Sequence, residues 1–138
     1  MSPEAGLVIP YWFLWSSHHE AGEESGRKAR PCVVVIAVKR SAELTVVVVA
    51  PLTHTSPGKT RHAVEIPARV KRHLSLDAAR SWVICDEVNE FEWPGFDMDR
   101  TPDGHRAFGR LPHNLTQRIR EEVVAAVRDG KLKKTSRD

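Results

Sequence analysis

The sequence has little of what would tie its fold to a disulfide, a membrane or a repeat. Of 138 residues only two are cysteine, Cys32 and Cys85. Both fall inside apolar, strand-like stretches and read as buried reduced thiols, not as a disulfide framework. No apolar run approaches the roughly 20 residues that a membrane-spanning helix needs. The first residues, Met1-Ser2-Pro3-Glu4-Ala5, lack a basic segment followed by a long apolar one, so no signal peptide is expected and the reading is cytoplasmic. No internal repeat or low-complexity linker occurs. Charge of one sign is not in large excess: 21 Lys and Arg against 18 Asp and Glu leave a formal net charge of +3, a weak bias toward acidic partners. Seven histidines are present, but none joins cysteine in a zinc-binding spacing, and neither a metal nor another cofactor is expected.

What remains has the balance of a soluble globule, 41% hydrophobic and 28% charged. The length fits one domain with one core, about residues 6–129, followed by a polar tail, 130–138, expected to be disordered. The strongest element is Arg30-Pro31-Cys32-Val33-Val34-Val35-Ile36-Ala37-Val38. After the proline come seven apolar residues, four of them valine. Pro31 has no N–H and suits the first residue of a strand. A short, bounded, valine-rich run predicts a strand buried on both faces. Arg30 then stands at the mouth of the best core strand, a rigid place to hold an anion.

Around it the chain reads as short strands. Gly6 to Trp15 is β-branched and aromatic, with Pro10 requiring an edge or bulge. Ser16 to Ala29 is a polar loop without periodicity. Cys32 to Lys39 and Glu43 to Pro51 predict an antiparallel hairpin. Thr53 to Thr60 is a second polar loop with its turn at Pro57-Gly58. His62 to Ile66, Ser81 to Asp86 and Asn89 to Trp93 read as further strands. Ala68 to Arg80 holds one or two helical turns, Leu76 to Ala79 being favoured. Phe96 to Gly109 is a loop. Pro112 to Asp129 is the one clear helix, with Leu115, Ile119, Val123, Ala126 and Val127 on one stripe and Gly130 as its stop. The fold class is mainly β with a C-terminal helix, a small antiparallel barrel or twisted sheet.

Four segments in this order resemble one family. Gly26-Arg27-Lys28-Ala29-Arg30-Pro31-Cys32-Val33-Val34-Val35 is similar to the glycine-to-Arg-Pro-Val entry of the PemK/MazF toxins. Val48-Val49-Ala50-Pro51-Leu52-Thr53 resembles that family's apolar strand ending in Pro-x-Thr. Ser81-Trp82-Val83-Ile84-Cys85-Asp86-Glu87-Val88 resembles its later strand, and Phe108-Gly109-Arg110-Leu111-Pro112 its approach to the last helix. The resemblance covers most of residues 6–128. It implies an SH3-like antiparallel barrel, a homodimer, and the toxin of a toxin–antitoxin pair. It further implies metal-independent cleavage of single-stranded RNA to 2′,3′-cyclic phosphate and 5′-hydroxyl ends, blocked by a cognate antitoxin with an acidic tail.

Such chemistry makes the ribose 2′-OH the nucleophile, so the protein must move two protons and stabilise charge on the phosphate. Arg30 matches the family's phosphate-binding or catalytic arginine, and its permanent charge suits that task. Thr53 matches the Pro-x-Thr position, with a hydroxyl able to donate to phosphate. Asp86 matches an aspartate that one branch uses as general base. That branch has an arginine two residues earlier, where this chain has Ile84, so a structural turn aspartate is an equal reading. Glu23 fits the acidic loop residue of another branch if two residues are inserted between Gly26 and Arg30; Glu24 is the neighbouring choice. His54 and His18 are second-line acid or base candidates. Lys28, His18, Lys59 and Arg61 are expected to contact RNA, whereas Arg69 to Arg72 read as solvated charge. The tryptophans, Trp12, Trp15, Trp82 and Trp93, read as core by default, with base stacking as the alternative if exposed. Two other functions stay open: a non-catalytic binding module on the same barrel, in the manner of a gyrase poison, and a plain interaction domain.

Overall fold

The element order is β1 (Leu7–Tyr11), α1 (Ser16–Glu20), β2 (Arg30–Lys39), β3 (Thr45–Thr53), β4 (Ala63–Glu65), α2 (Ala68–His73), β5 (Trp82–Ile84), β6 (Glu87–Trp93), β7 (Gly109–Arg110), α3 (His113–Arg128) and β8 (Lys133–Ser136). The structure, a computed structural model, describes residues 2–137. Met1 and Asp138, the ends of the expected domain and tail, lie outside the described residues. The strand order is β4-β5-β3-β2-β1-β7, with β6 on β3 and β8 on β6. The sheet is curled and antiparallel apart from the β6–β8 pair, and α3 packs against it.

The hairpin β2–β3 is its spine. The pairing runs from Cys32↔Pro51 to Lys39↔Thr45. Strand side chains alternate between faces, and here both faces are covered. Val33 and Val35 pack with Ala50, Leu52 and Val83 and with Leu115, Ile119 and Val123 of α3. Cys32 and Val34 pack with Ile9, Tyr11, Val47, Val49 and Phe91. Each fully buried valine stabilises the fold by about 1.5–2 kcal/mol. The continuous valine run therefore reflects two cores, one on each side of the same strand. Burial on both faces holds only for the first half of β2. The register shifts between Val34 and Ile36, and beyond it Ile36 and Val38 are each 41% exposed.

Strand β3 changes neighbours along its length. Thr45 to Val49 pair with β6, and Leu52 and Thr53 pair with β5. The change falls at Ala50-Pro51, where the sheet turns over. Pro10 occupies neither an edge nor a bulge. It lies within β1 opposite Pro31, and its carbonyl accepts a hydrogen bond from the Asp99 N–H on the other side. Backbone groups at this pair point away from each other, so neither proline forfeits a ladder bond.

Helix α3 follows its apolar stripe as far as Ala126, but Val127 is 56% exposed and not part of it. Gly130 adopts φ +67°. The Lys131 and Gly130 N–H groups return to the Ala126 and Val127 carbonyls, a Schellman stop that favours glycine. Gly26 is needed for another reason. A Cβ there would lie 2.5 Å from the Phe13 carbonyl oxygen and 2.6 Å from that of Trp12, so the first loop returns flat against the exit of β1.

Three further expectations are corrected. The first loop is not structureless: it contains α1. In the 68–80 segment the helix is α2, Ala68–His73, and not Leu76 to Ala79. The tail is ordered as far as described, because β8 lies parallel to β6, with Thr135 5% exposed and Lys133 N–H bonded to the Asp86 carbonyl at 2.9 Å. A polar strand of this kind is held by backbone pairing, which hydropathy does not register.

Cys32 and Cys85 are both free and 0% exposed. Burial pushes both thiols up, that of Cys85 to about 12. Neither is expected to react with an aromatic disulfide reagent in the native protein, even at about pH 9, above the ordinary thiol value. Both should react on unfolding. Rapid labelling of one thiol in the folded protein would contradict the two-sided packing of β2.

Candidate functional site

The paired register of β2 on β3 ends at Cys32↔Pro51, two residues short of Arg30 and Thr53. These are the first residue of β2 and the last of β3. The Arg30 guanidinium reaches the Leu52 carbonyl, beside Thr53, so the two expected site residues are neighbours. They line one side of an open cleft of about 670 Å³. Trp15, Ser17, His18 and Lys28 come to it from the first loop, and His54 to Pro57 from the second.

Arg30 is held without being neutralised. Its Nη1 donates to the Leu52 carbonyl at 3.2 Å, and its guanidinium lies 5.2 Å from the Trp15 ring centroid. Nε is buried with no partner among the described residues. Burial lowers the arginine's pKa, opposed by Cys32, yet a guanidinium keeps its charge at any physiological pH. A buried N–H without an acceptor is costly, and it sits here beside an open cleft. His18, on α1, repeats the feature: its Nδ1 is buried and unpartnered among the described residues. The Thr53 hydroxyl accepts from the Thr55 N–H at 3.1 Å, which leaves its own proton free to donate.

On the far wall a short chain of polar groups begins at His54. Its Nε2 lies 2.8 Å from Asp77 Oδ2, and Asp77 Oδ1 accepts from Lys71 Nζ at 2.6 Å. Lys71 is 4% exposed. It also donates to Ser81 Oγ at 2.6 Å and to the Ala79 carbonyl. This lysine, read in the sequence as solvated charge, is a buried cation with its three protons matched. The bond from Lys71, helped by its charge and by His54, holds the Asp77 carboxyl below the usual carboxylate range against an opposing effect of burial.

The other expected residues are placed differently. Asp86 is buried and does not line the cleft. Arg61 grips it with Nε at 3.2 Å and Nη2 at 2.6 Å. Arg61 also bonds Glu87 at 3.0 Å, so its charge is largely taken up by carboxylates although it reaches the rim. Glu23 is in an ion pair with Arg27 at 2.8 Å, away from the cleft lining. The Glu24 carboxylate does not line the cleft either, and Lys59 is exposed outside it. Ile84 does line it.

Sequence reasoning missed Trp15 as a partner of Arg30, and the roles of Lys71, Asp77, Ser81 and Glu87. Glu87 accepts from both the N–H and the hydroxyl of Ser16, at 2.9 and 2.8 Å, and so ties α1 to the start of β6. Only Trp15 left a trace, as a tryptophan beside the first polar loop. All four tryptophans are half-buried and not deep in the core.

A family model described as PemK-like, MazF-like toxin of type II toxin–antitoxin system matches residues 11–127. Among solved structures, the Mycobacterium tuberculosis toxin MazF-mt6 is similar, with a TM-score of 0.54 and 22% identity over 92% of this chain and 98% of that one. At that identity the likeness is one of fold. No curated protein matches the sequence.

The lowered Asp77 carboxyl gives a signed prediction. A depressed folded value means stabilisation that is present above the unfolded value, near pH 4, and lost as pH falls through the folded one. Because Asp77 is half exposed, the effect is discounted to about 1 kcal/mol. Asp77→Asn should lower the urea midpoint at pH 7 and lower it less as pH falls below about 4. An equal loss in both ranges would assign Asp77 to packing and not to charge.

Proposed function

The chain belongs to the PemK-like, MazF-like toxins of type II toxin–antitoxin systems, and we propose that it is an endoribonuclease that cleaves single-stranded RNA. The observation that carries this reading is that Arg30 and Thr53, at the ends of neighbouring strands, line one cleft in which the Arg30 guanidinium has no carboxylate partner among the described residues. Arg30 takes two phosphate oxygens through its guanidinium N–H groups. The Thr53 hydroxyl donates to the same phosphate. The ribose 2′-OH attacks the adjacent phosphorus, the bond to the 5′-oxygen breaks, and the products carry a 2′,3′-cyclic phosphate and a 5′-OH. Negative charge builds on the phosphate during attack, and a fixed guanidinium stabilises it most at that moment.

His18 and His54 are the proposed proton-transfer groups. Both line the cleft, and the Asp77 contact at Nε2 leaves Nδ1 of His54 for the substrate. Asp86 and Glu23 are less suited, since each carboxylate already bonds an arginine. Lys28 and the Trp15 ring extend the surface for backbone and base. Membership of a type II family implies an antitoxin partner. The proposed enzyme acts in the cytoplasm as a homodimer, and its acidic antitoxin competes with RNA for Arg30 and Lys28. No helix among the described residues is long and apolar enough to cross a membrane.

One observation favours the non-catalytic alternative: Ile84 lines the cleft where one family scheme has an arginine, and Asp86 is engaged by Arg61. A single experiment separates the two. Purified protein is incubated with single-stranded RNA in excess chelator, and the ends are mapped. Cleavage is expected, with cyclic phosphate ends, and a 2′-deoxyribose at the cut site should abolish it. Arg30→Ala should reduce the rate by about 10²–10³-fold and Thr53→Val by about tenfold. His18→Ala and His54→Ala should each cost about 10²-fold. RNA binding without cleavage would establish the binding module instead.

A further inference from the structure

A second guanidinium lies outside the cleft and is more completely enclosed than Arg30. The Arg137 side chain, which follows β8, is 4% exposed. Its Nη1 donates to the Trp12 carbonyl and to Asn89 Oδ1, both at 2.9 Å. Its Nη2 lies 2.9 Å from Asp97 Oδ2 and 3.5 Å from the Glu24 carbonyl. Its carbon lies 5.6 Å from the Tyr11 ring centroid. Asn89, 0% exposed, is bonded in turn to both backbone groups of Leu14, at 2.9 and 2.8 Å. One buried fork thus connects the start of the first loop, directly at Trp12 and through Asn89 at Leu14, with its return at Glu24.

The segment between those points carries Trp15 and His18. Trp15 packs edge-on against Phe13 at 5.1 Å and stands beside the Arg30 guanidinium. The line of contact therefore runs from Arg137 through the loop backbone to Trp15, and from Trp15 to Arg30. Removing a charge from water is costly unless each donor finds an acceptor. Here the acceptors are two loop carbonyls, an amide and a carboxylate. A loop held in this way has already lost much of the backbone freedom, about 1–2 kcal/mol per residue, that binding would otherwise have to remove.

We propose that Arg137 is a positioning residue for the cleft: it holds Trp12 to Glu24 so that Trp15 and His18 face Arg30. The identity of the ligand rests on the ribonuclease reading, whereas the ordering of the loop does not.

The test uses the full chain and two variants, Arg137→Ala and Arg137→Lys, with two readouts. Amide hydrogen exchange is expected to quicken by about tenfold or more at Trp12 to Glu24 in the alanine variant, and by less than about twofold in β2 and β3. In RNA cleavage, KM should rise by about 5–20-fold as Trp15 loosens, and kcat should fall by about tenfold as His18 loosens, less than the loss on removing His18 outright. The lysine variant should fall between, because an ammonium can keep Asp97 but lacks the planar fork that spans both carbonyls. It carries the test if the alanine variant does not fold. Unchanged loop protection overturns the proposal, and so does a loosened loop with unchanged KM. If wild-type protein neither cleaves nor binds RNA, the ribonuclease reading falls, and the exchange arm alone decides whether Arg137 orders the segment.

Discussion

The antiparallel register of β2 on β3 is the constraint on which the rest of the molecule depends. Cys32 opposite Pro51 fixes which valines face α3 and which face the Tyr11–Phe91 side. A slip of one residue would exchange the two sets. The valine strands would tolerate that poorly, because the two cores differ in shape. One receives an α-helical stripe, and the other a ring stack of Tyr11 on Phe91 with centroids 4.6 Å apart. Arg30 and Thr53 follow at the two strand ends, where both line the cleft. Fold stability and the geometry of the cleft are thus set by one alignment, and the site residues sit at the ends of the strands whose middles hold the protein together.

The arginines show how one side chain is given different work by what surrounds it. Arg61 meets two carboxylates and Arg137 one carboxylate and several carbonyls, so each acts as an internal strut. Arg80 is exposed, pairs with Glu65 and lies 4.9 Å from the Trp82 ring centroid, which is worth little in water. Arg30 has an aromatic face and one carbonyl but no carboxylate. An arginine held rigidly and left uncompensated is the arrangement an anion site requires, and composition cannot distinguish it from the others.

Much of this fold was legible in the sequence because it follows from local pattern. Valine runs, Pro51 and Thr53 at the end of β3, and the leucine–isoleucine stripe of α3 each declare themselves within about 15 residues. Arg30 was legible for the same reason, as a cation at the mouth of an apolar run. What stayed hidden depends on pairing between distant segments. Lys71 looks like surface charge until α2 folds over Ser81. Lys133 to Ser136 have no apolar alternation, and their order comes from backbone bonds to β6 and from the enclosed Arg137 beyond them. Asp86 read equally as a general base or a turn residue; its partner, Arg61, lies 25 residues earlier, and nothing local marks the pair.

That pairing bears on how a phosphate chain can approach. A bare carboxylate near the cleft would repel RNA, and Asp77, Asp86, Glu87 and Glu23 all lie in or around it. Each is bonded to a cation: Asp77 to Lys71, Asp86 and Glu87 to Arg61, Glu23 to Arg27. Opposed pairs have fields that fall off faster with distance than single charges and are further screened by salt within about 8–10 Å. Arg30 is the exception in this set, since it carries its charge to the cleft without a carboxylate beside it. With Lys28, which also lines the cleft, it biases the local field positive although the whole chain carries only +3. A protein of nearly balanced charge can in this way present a focused anion site, and in the proposed reaction the bond of Asp86 to Arg61 leaves proton transfer to the cleft histidines.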